Sequence, residues 1–308
     1  MSPARDKLAV VGTFDGVHLG HNYLLNVLKE KAVESNLSPL VITFSSHPLE
    51  TIRPERVPAL IYPLAKKTDL LKSCGINDIA ILNFDSHLRN MSASEFMTFL
   101  RDEYNVAELL LGYDTRFGKD HPEGLEPYEA IGKEIGMKVS QAQQFIEYGA
   151  PVCSSRIRKA LTEGNIPLAN SLLGRQFSIT GSVVHGKKLG RKIGFPTANI
   201  QPEDQRQLIP KPGVYAVNAI LPDNTTVKAM LNIGFRPTVD NSDTPPLTLE
   251  AHLIGFEGDL YGKNITLEFI AAIREEKKFS GIEELRSQLA LDAETAVKLL
   301  SAEKMPDA

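Results

Sequence analysis

The sequence predicts two domains, an α/β domain with a parallel sheet followed by an antiparallel β-barrel. Up to about residue 150, short apolar runs alternate with helical patterns, which is typical of a parallel sheet covered by helices on both faces. From about residue 176, strand-like segments follow one another with few helices between them, as in antiparallel barrels. The length of 308 residues also fits two domains of roughly 100 to 200 residues.

The first domain is predicted to contain alternating strands and helices. The strands lie at 8–11, 39–44, 79–82 and 108–111, and the helices at 20–35, 64–74 and 93–104. Ser92 and Glu95 form a capping box at the start of the third helix. Because parallel sheets bind ligands beyond the carboxyl ends of their strands, we expect functional loops after Val11, Phe44 and Leu111.

The second domain is predicted to be built mainly from strands. These lie at 176–184, 213–221, 225–233, 247–254 and 264–273, and a final helix lies near 281–300. The change of pattern near Gly174 predicts the domains 1–174 and 175–308.

Charge and composition narrow the range of partners. The net charge is −4, with 18 Lys and Arg against 21 Asp and Glu up to Gly174, and 16 against 17 after it. Neither half has the basic excess of a nucleic-acid binder, although small phosphorylated ligands remain possible. No apolar run reaches the roughly 18 to 20 residues needed to span a bilayer, and the start lacks a signal-peptide core. We therefore expect a cytoplasmic protein without a membrane partner, and we leave self-association open.

The loop after the first strand has the features of a phosphate site. It reads GTFDGVHLGH at 12–21, and a helical pattern follows directly. Its glycines allow the backbone to approach a ligand, and the free N–H groups of a helix start attract anions. His18 and His21, three residues apart, share one face of the first turn and suit phosphate oxygens. A metal-binding pair is the alternative, but the sequence offers no clear third ligand.

The loop resembles the HxGH signature of the nucleotidyltransferase superfamily. Its longer form, GxFDGxHxGH, is similar to the adenylyltransferase half of the bacterial bifunctional riboflavin kinase/FAD synthetase family. The stretches FSSHP at 44–48, GYDTRFG at 112–118 and CSSRIR at 153–158 resemble that family's later motifs, in the same order. The chain departs from the family at Ser46, Thr115, Cys153 and Ser155, where the family has Pro, an aromatic residue, Ser and Thr.

The resemblance implies a Rossmann-like first domain that converts ATP and FMN into FAD and pyrophosphate. His18 and His21 are then catalytic and bind the ATP phosphates, and His47 contacts flavin. The implied ATP-binding residues of this half are Gly12, Phe14, His18, His21, Asp114, Arg116, Ser154, Ser155 and Arg158. Plain N-capping is the alternative for the two serines. Three roles stay open for Asp114, namely binding a magnesium ion, binding the ribose and capping a turn.

The second half carries a basic, glycine-rich stretch, GSVVHGKKLGRKIGFPTAN at 181–199, and its end resembles the PTAN motif of riboflavin kinases. Thr197 and Asn199 offer hard oxygen ligands for a magnesium ion that bridges ATP phosphates, with turn capping as the alternative. In the strand TLEAHL at 248–253, period two places Glu250 and His252 on the face away from the core. An exposed polar strand face is the simpler explanation of that pattern.

This strand, with DLYG at 259–262 and REEKKF at 274–279, resembles the kinase strand that bears the catalytic glutamate and the segments after it. Glu250 is then the base for riboflavin phosphorylation, and Mg²⁺ and ATP are required. The resemblance implies the ATP-binding residues Gly181, Lys187, Gly190, Lys192, Thr197 and Asn199, and the flavin-binding residues Gly194, Phe195 and Arg274. A surface ion pair is the alternative for Arg274. Two alternatives stay open for the whole chain, a single active half and a flavin-binding regulator without turnover.

Overall fold

The computed structural model describes residues 6–186, 189–235 and 247–302. The chain forms two compact units, Met1–Ser154 and Ser155–Ala308. The predicted domain boundary after Gly174 stays a prediction. The two compact units divide after Ser154, which is the first residue of the two helices that lead into the barrel.

The first unit is an α/β fold with a parallel sheet. Its elements are β1 (Lys7–Val11), α1 (Leu19–Glu34), β2 (Ser38–Phe44), α2 (Leu49–Ile52), a 3₁₀ turn (Pro54–Arg56), α3 (Leu64–Ser73), β3 (Asp78–Leu82), α4 (Ser86–Arg89), α5 (Ala93–Tyr104), β4 (Val106–Leu111), α6 (Glu126–Ile135), β5 (Lys138–Gln141), β6 (Ile146–Glu147) and β7 (Ala150–Pro151). The first five strands in order β3-β2-β1-β4-β5 form one sheet in which every pair is parallel. This arrangement confirms the predicted α/β class.

Successive strand residues enter opposite layers of the core. In β1, Ala9 and Val11 pack in the layer of α5 and α6, whereas Leu8 and Val10 pack in the layer of α1 and α3. Because both faces of the sheet are covered, the strands carry uninterrupted apolar runs rather than alternating ones.

The central position of β1 locates the ligand-binding edge. The chain adds β2 and β3 on one side of β1 and then β4 and β5 on the other. Ligands of such sheets bind where this order switches, beyond the carboxyl ends of the strands. The loops after β1 and β4 therefore flank the expected site.

The second unit is a closed antiparallel barrel with helices. Its elements are α7 (Ser154–Thr162), which begins at the last residue of the first unit, α8 (Ile166–Leu173), β8 (Ser178–Val184), α9 (Leu189–Lys192), β9 (Ala198–Pro202), β10 (Gly213–Ile220), β11 (Thr226–Phe235), β12 (Leu247–Leu253), β13 (Asn264–Arg274) and α10 (Ile282–Ala302). The barrel order is β10-β11-β12-β9-β8-β13. Ala296 and Leu300 of α10 pack on Ala216, Met230 and Ile270 of the barrel's outer face.

The side chain of Asn170 links helix α8 to the barrel through two hydrogen bonds. The Asn170 amide donates to the carbonyl of Phe269 at 2.8 Å, and its oxygen accepts from the backbone N–H of Phe177 at 2.8 Å. These two bonds join α8 to the barrel and satisfy both polar groups of the amide. In the described part of the chain, no helix is long and apolar enough to cross a membrane.

Candidate active sites

The loop after β1 adopts an uncommon backbone conformation. Phe14, Gly16 and Val17 have φ values of 49°, 84° and 40°, in the left-handed region. Val17 is β-branched and therefore strained there. Both Phe14 and Val17 are buried, so the surrounding structure holds the conformation. Such local strain is concentrated at ligand-binding sites.

Asp15 anchors this loop to the segment before α3. Its buried carboxylate accepts hydrogen bonds from the backbone N–H of Ile61 at 3.0 Å and of Tyr62 at 3.3 Å. The hydroxyl of Ser154 donates to the Asp15 carbonyl at 2.9 Å. Ser154, predicted to contact phosphate or to cap its helix, thus also holds the loop in place. Sequence reasoning gave Asp15 no role.

The two histidines lie together at the start of α1. His18 is the N-cap residue, and its Nδ1 accepts from the backbone N–H of His21 at 3.3 Å. The two rings stack with centroids 3.7 Å apart, which confirms the predicted shared face. Gly20 permits this geometry, because a Cβ there would lie 2.7 Å from the Val152 carbonyl oxygen.

Lys67 of α3 is a buried cation that sequence reasoning missed. Its ammonium donates to the carbonyl of Thr13, the hydroxyl of Thr43 and the carbonyl of Phe44, each at 3.0 Å. Burial lowers the pKa of Lys67 from 10.5 to about 8, and the nearby Asp15 carboxylate opposes this shift. A lysine within an ordinary helical pattern gives no signal of such an environment.

Four other predicted residues lie at the carboxyl edge of the sheet. The backbone N–H of Gly12 donates to the Ile42 carbonyl at 3.0 Å, and the buried ring of Phe14 lies against Gly12. Asp114 and Arg116 are exposed in the loop after β4. Arg116 pairs with Glu123 at 3.4 Å.

Thr115 and His47 both stabilise turns. The Thr115 hydroxyl accepts from the Gly112 N–H at 3.0 Å, so this departure from the family pattern caps the turn after β4. His47 Nδ1 accepts from the Leu49 N–H at 3.1 Å at the start of α2. The assignment of His47 to flavin stays a prediction. Ser155 and Arg158 lie on α7 in the second unit, and their assignment to phosphate stays a prediction as well.

Strand pairing in the second unit brings together the PTAN stretch and the strand TLEAHL. Glu250 of β12 lies opposite Asn199 of β9 on one side and opposite Asn232 of β11 on the other. Leu249, Ala251 and Leu253 are buried and Glu250 is half-buried, which confirms the predicted alternation. Sequence reasoning missed Asn232, because only the register shows that it neighbours Glu250.

Glycines shape the loop that precedes β9. A Cβ on Gly186 would lie 2.2 Å from the Asn199 amide nitrogen, so this side chain covers the loop backbone. A Cβ on Gly190 would lie 2.2 Å from the Phe195 carbonyl oxygen, and the Phe195 N–H donates to the Gly190 carbonyl at 2.9 Å. Gly194, with φ of 86°, completes the turn.

The remaining predicted residues of this loop have distinct positions. Gly181 lies inside the barrel wall, where a Cβ would be 2.4 Å from the Gln201 carbonyl oxygen. Thr197 is half-buried just before β9. Lys187 and the side chain of Lys192 lie outside the described residues.

Two aromatic rings meet on the outer face beside Glu250. The Phe195 ring contacts His252 edge to face, with centroids 5.3 Å apart. His252 Nδ1 is 2.8 Å from the Pro196 carbonyl oxygen, a bond that requires the proton on Nδ1. His252 thereby fixes the segment that leads to Thr197.

Arg274, predicted to contact flavin or form an ion pair, is held by a carboxylate. Its guanidinium donates to Asp292 of α10 at 2.7 and 3.0 Å and to the Glu275 carbonyl at 3.0 Å. Asp292 is buried. The structure therefore shows an ion pair, but with a buried carboxylate rather than at the surface as the alternative had it, and the flavin contact stays a prediction.

The carboxylate of Glu276 and the amide of Asn232 both lie next to Gly234. A Cβ on Gly234 would lie 2.1 Å from a Glu276 carboxylate oxygen and 3.1 Å from the Asn232 amide nitrogen. Glu276 as a whole is exposed, but partial burial of its carboxyl raises the pKa of this group, while Arg274 lowers it. The short segment after β13 therefore adds a carboxylate near the Glu250 face.

Both units match known protein families. Residues 1–156 match the FAD synthetase family and residues 173–300 match the riboflavin kinase family. The chain is 37% identical over 296 residues to the bifunctional riboflavin kinase/FMN adenylyltransferase of Escherichia coli strain K12, covering 96% of this chain and 93% of that protein. The Bacillus subtilis protein of the same name is 33% identical over 298 residues, covering 96% and 93%.

One solved structure agrees with the whole fold. A crystal structure of a Streptococcus pneumoniae protein, described as a macrolide-efflux protein, aligns with a TM-score of 0.85 and 30% identity over 96% of this chain and 95% of that one. The histidine loop, the barrel motifs and these similarities agree with one another. The chain belongs to the family of bifunctional riboflavin kinase/FMN adenylyltransferases.

Proposed function

We propose that this chain carries out two successive ATP-dependent reactions on flavin. The barrel phosphorylates riboflavin to FMN and releases ADP, and the α/β unit joins FMN to the AMP part of ATP and releases pyrophosphate. The observation that carries the proposal is the pairing of Glu250 with Asn199, because it juxtaposes a proton acceptor and an oxygen ligand on one barrel face. We argue the reaction from the residues of this site, because one fold can host many different functions.

In the kinase reaction, Glu250 accepts the proton of the riboflavin 5′-hydroxyl as this oxygen attacks the γ-phosphorus of ATP. The bond between the γ-phosphorus and the β–γ bridging oxygen breaks, and ADP leaves. Thr197 and Asn199 supply neutral hard oxygens, a donor set that fits Mg²⁺. When bound, the ion offsets the phosphate charge. Gly186, at the start of the glycine-rich stretch before β9, lies next to Asn199, where its lack of a side chain lets a phosphate approach the backbone.

In the adenylyl-transfer reaction, a phosphate oxygen of FMN attacks the α-phosphorus of ATP and pyrophosphate leaves. The α1 N-terminus favours the developing negative charge. His18 Nδ1 accepts a backbone hydrogen bond, so the neutral ring carries its proton on Nε2, where it can donate to a phosphate oxygen. The stacked ring of His21 lies beside it.

Product analysis tests the proposal directly. The chain is incubated with riboflavin and Mg-ATP, and the flavins are separated by chromatography over time. We expect FMN to appear first and FAD to follow, and removal of Mg²⁺ by a chelator to stop both steps. FMN accumulation without FAD would favour a single active half, and tight flavin binding without turnover would favour a regulator.

We also propose a cytoplasmic location. Both reactions consume ATP, and the ligands required are riboflavin, FMN and ATP. Fractionation of cells that express the chain, followed by immunodetection, tests this location, and recovery outside the cytoplasmic fraction would contradict it.

A further inference from the structure

Lys67 is a nearly inaccessible cation at the edge of the sheet, with a relative exposure of 8%. All three hydrogens of its ammonium have acceptors, namely Thr13, Thr43 and Phe44. Burying an ammonium is costly unless such bonds compensate it. Because these donors are already used within the protein, Lys67 acts on the site through the groups it holds.

Two of these acceptors belong to the loops of the adenylyl-transfer site. The Thr13 carbonyl precedes Phe14, where the backbone enters the left-handed region. The Thr43 hydroxyl also donates to the Thr13 carbonyl, at 3.2 Å. The Phe44 carbonyl begins the loop that carries His47, so one cation joins the loop of the two histidines to the loop after β2.

Because the peptide bond is planar, a hydrogen bond to a carbonyl of the loop also orients the next N–H group of the loop. In a trans peptide the N–H points opposite to the carbonyl of the preceding residue. By holding the Thr13 carbonyl, Lys67 and Thr43 therefore set the direction of the Phe14 N–H. Asp15, which follows Phe14, is held by the backbone N–H groups of Ile61 and Tyr62. The segment before α3 and Lys67 of α3 thus bind the loop on both sides of Phe14.

We propose that Lys67 is a positioning residue for adenylyl transfer, which orients the loop of His18 and His21 for the ATP phosphates. The inference rests on the proposed function, because it needs FAD synthesis at this site. Removing the cation should impair the chemical step, since misplacement of a catalytic loop by about 1 Å costs on the order of 100-fold in rate.

Steady-state kinetics of Lys67→Met, Lys67→Arg and Lys66→Met test the inference. Lys66 is the exposed neighbour on the same helix and is the matched control. With FMN and Mg-ATP, we expect Lys67→Met to lower the kcat of FAD formation about 10- to 100-fold with an unchanged KM for FMN. Lys67→Arg should recover much of the loss because it retains the cation, and Lys66→Met should match wild type. Riboflavin phosphorylation should stay at the wild-type rate in all three.

Two milder variants, both at Thr43, test the inference if Lys67→Met does not fold. Thr43→Val removes the hydroxyl shared by Lys67 and Thr13, whereas Thr43→Ser keeps it. We expect Thr43→Val to lower the same kcat and Thr43→Ser to preserve it. Wild-type kcat in folded Lys67→Met, or equal kcat in the two Thr43 variants, would overturn the inference. Absence of FAD synthesis by the wild type would instead overturn the proposed function together with the inference.

Discussion

Asn199 on β9 lies directly opposite Glu250 on β12, although the two residues come from motifs far apart in the chain. Both side chains lie on the outer face of the barrel, and Asn232 on β11 continues the same row. The proposed base and the proposed oxygen ligand are therefore held by strand register rather than by a flexible loop.

Glu250→Gln should remove the general base and leave the strand intact. We expect FMN formation to fall roughly 10²- to 10⁴-fold, the contribution of general-base catalysis, while FAD formation from supplied FMN continues. Both rates are measured by chromatography with Mg-ATP in excess. Glu257→Gln, at an exposed position after β12, is the control and should match wild type. Equal loss of both activities in Glu250→Gln would contradict the division of labour.

His21→Ala should have the opposite effect. It removes one ring of the stacked pair at the α1 N-terminus, and we expect FAD formation to fall about 10²- to 10³-fold, as for loss of one preorganised donor. Riboflavin phosphorylation should be unchanged. His87→Ala, on the exposed face of α4, controls for loss of a histidine elsewhere. Normal FAD formation by His21→Ala would refute its role.

Arg274→Met should lower the free energy of unfolding and have little effect on the KM for riboflavin. The change leaves the buried Asp292 carboxylate without its cation, which costs about 3 to 5 kcal/mol of unfolding free energy. Urea denaturation measures the loss, and Arg274→Met combined with Asp292→Leu should lose less than the sum of the single changes. A higher KM for riboflavin with wild-type stability would instead support the flavin contact predicted for Arg274.

Lys67 should titrate near pH 8. Its pKa of about 8 lies below the value of 10.5 expected for the unfolded chain. Between these values the unfolded chain binds more protons, so the unfolding free energy of wild type should rise with pH relative to Lys67→Met. ¹³C NMR of lysine Cε, titrated from about pH 7 to 9.5, should show one resonance with a midpoint near 8 that Lys67→Met lacks. No resonance titrating below pH 9 would contradict the lowered pKa of Lys67.

Much of the fold was predictable because its signals are local. The apolar runs predicted β1, β2, β3 and β4, and the capping box at Ser92 and Glu95 is present in the structure. The antiparallel half was also predicted, but β9 was missed. Its residues follow a basic, glycine-rich loop and include a single buried side chain, Ile200, so they lack the alternation of a strand. Strand β5 was missed for the same reason, since only Val139 is buried.

The site was predictable where one motif supplies several groups. His18, Gly20 and His21 are adjacent in sequence, and the helix start alone places them together. Lys67 and Asn232 were not predictable, because their roles depend on tertiary contacts or strand register. Arg274 was assigned from its motif, but its partner Asp292 lies on the last helix, where sequence spacing gives no indication of the pair.

A complementation assay tests the two-site account most directly. Glu250→Gln and His21→Ala are incubated with riboflavin and Mg-ATP, separately and as an equimolar mixture, and the flavins are quantified by chromatography. We expect little FMN from Glu250→Gln, FMN without FAD from His21→Ala, and FAD from the mixture, because FMN made by one variant reaches the intact site of the other. FAD from either variant alone at the wild-type rate, or FMN without FAD in the mixture, would contradict two separate sites.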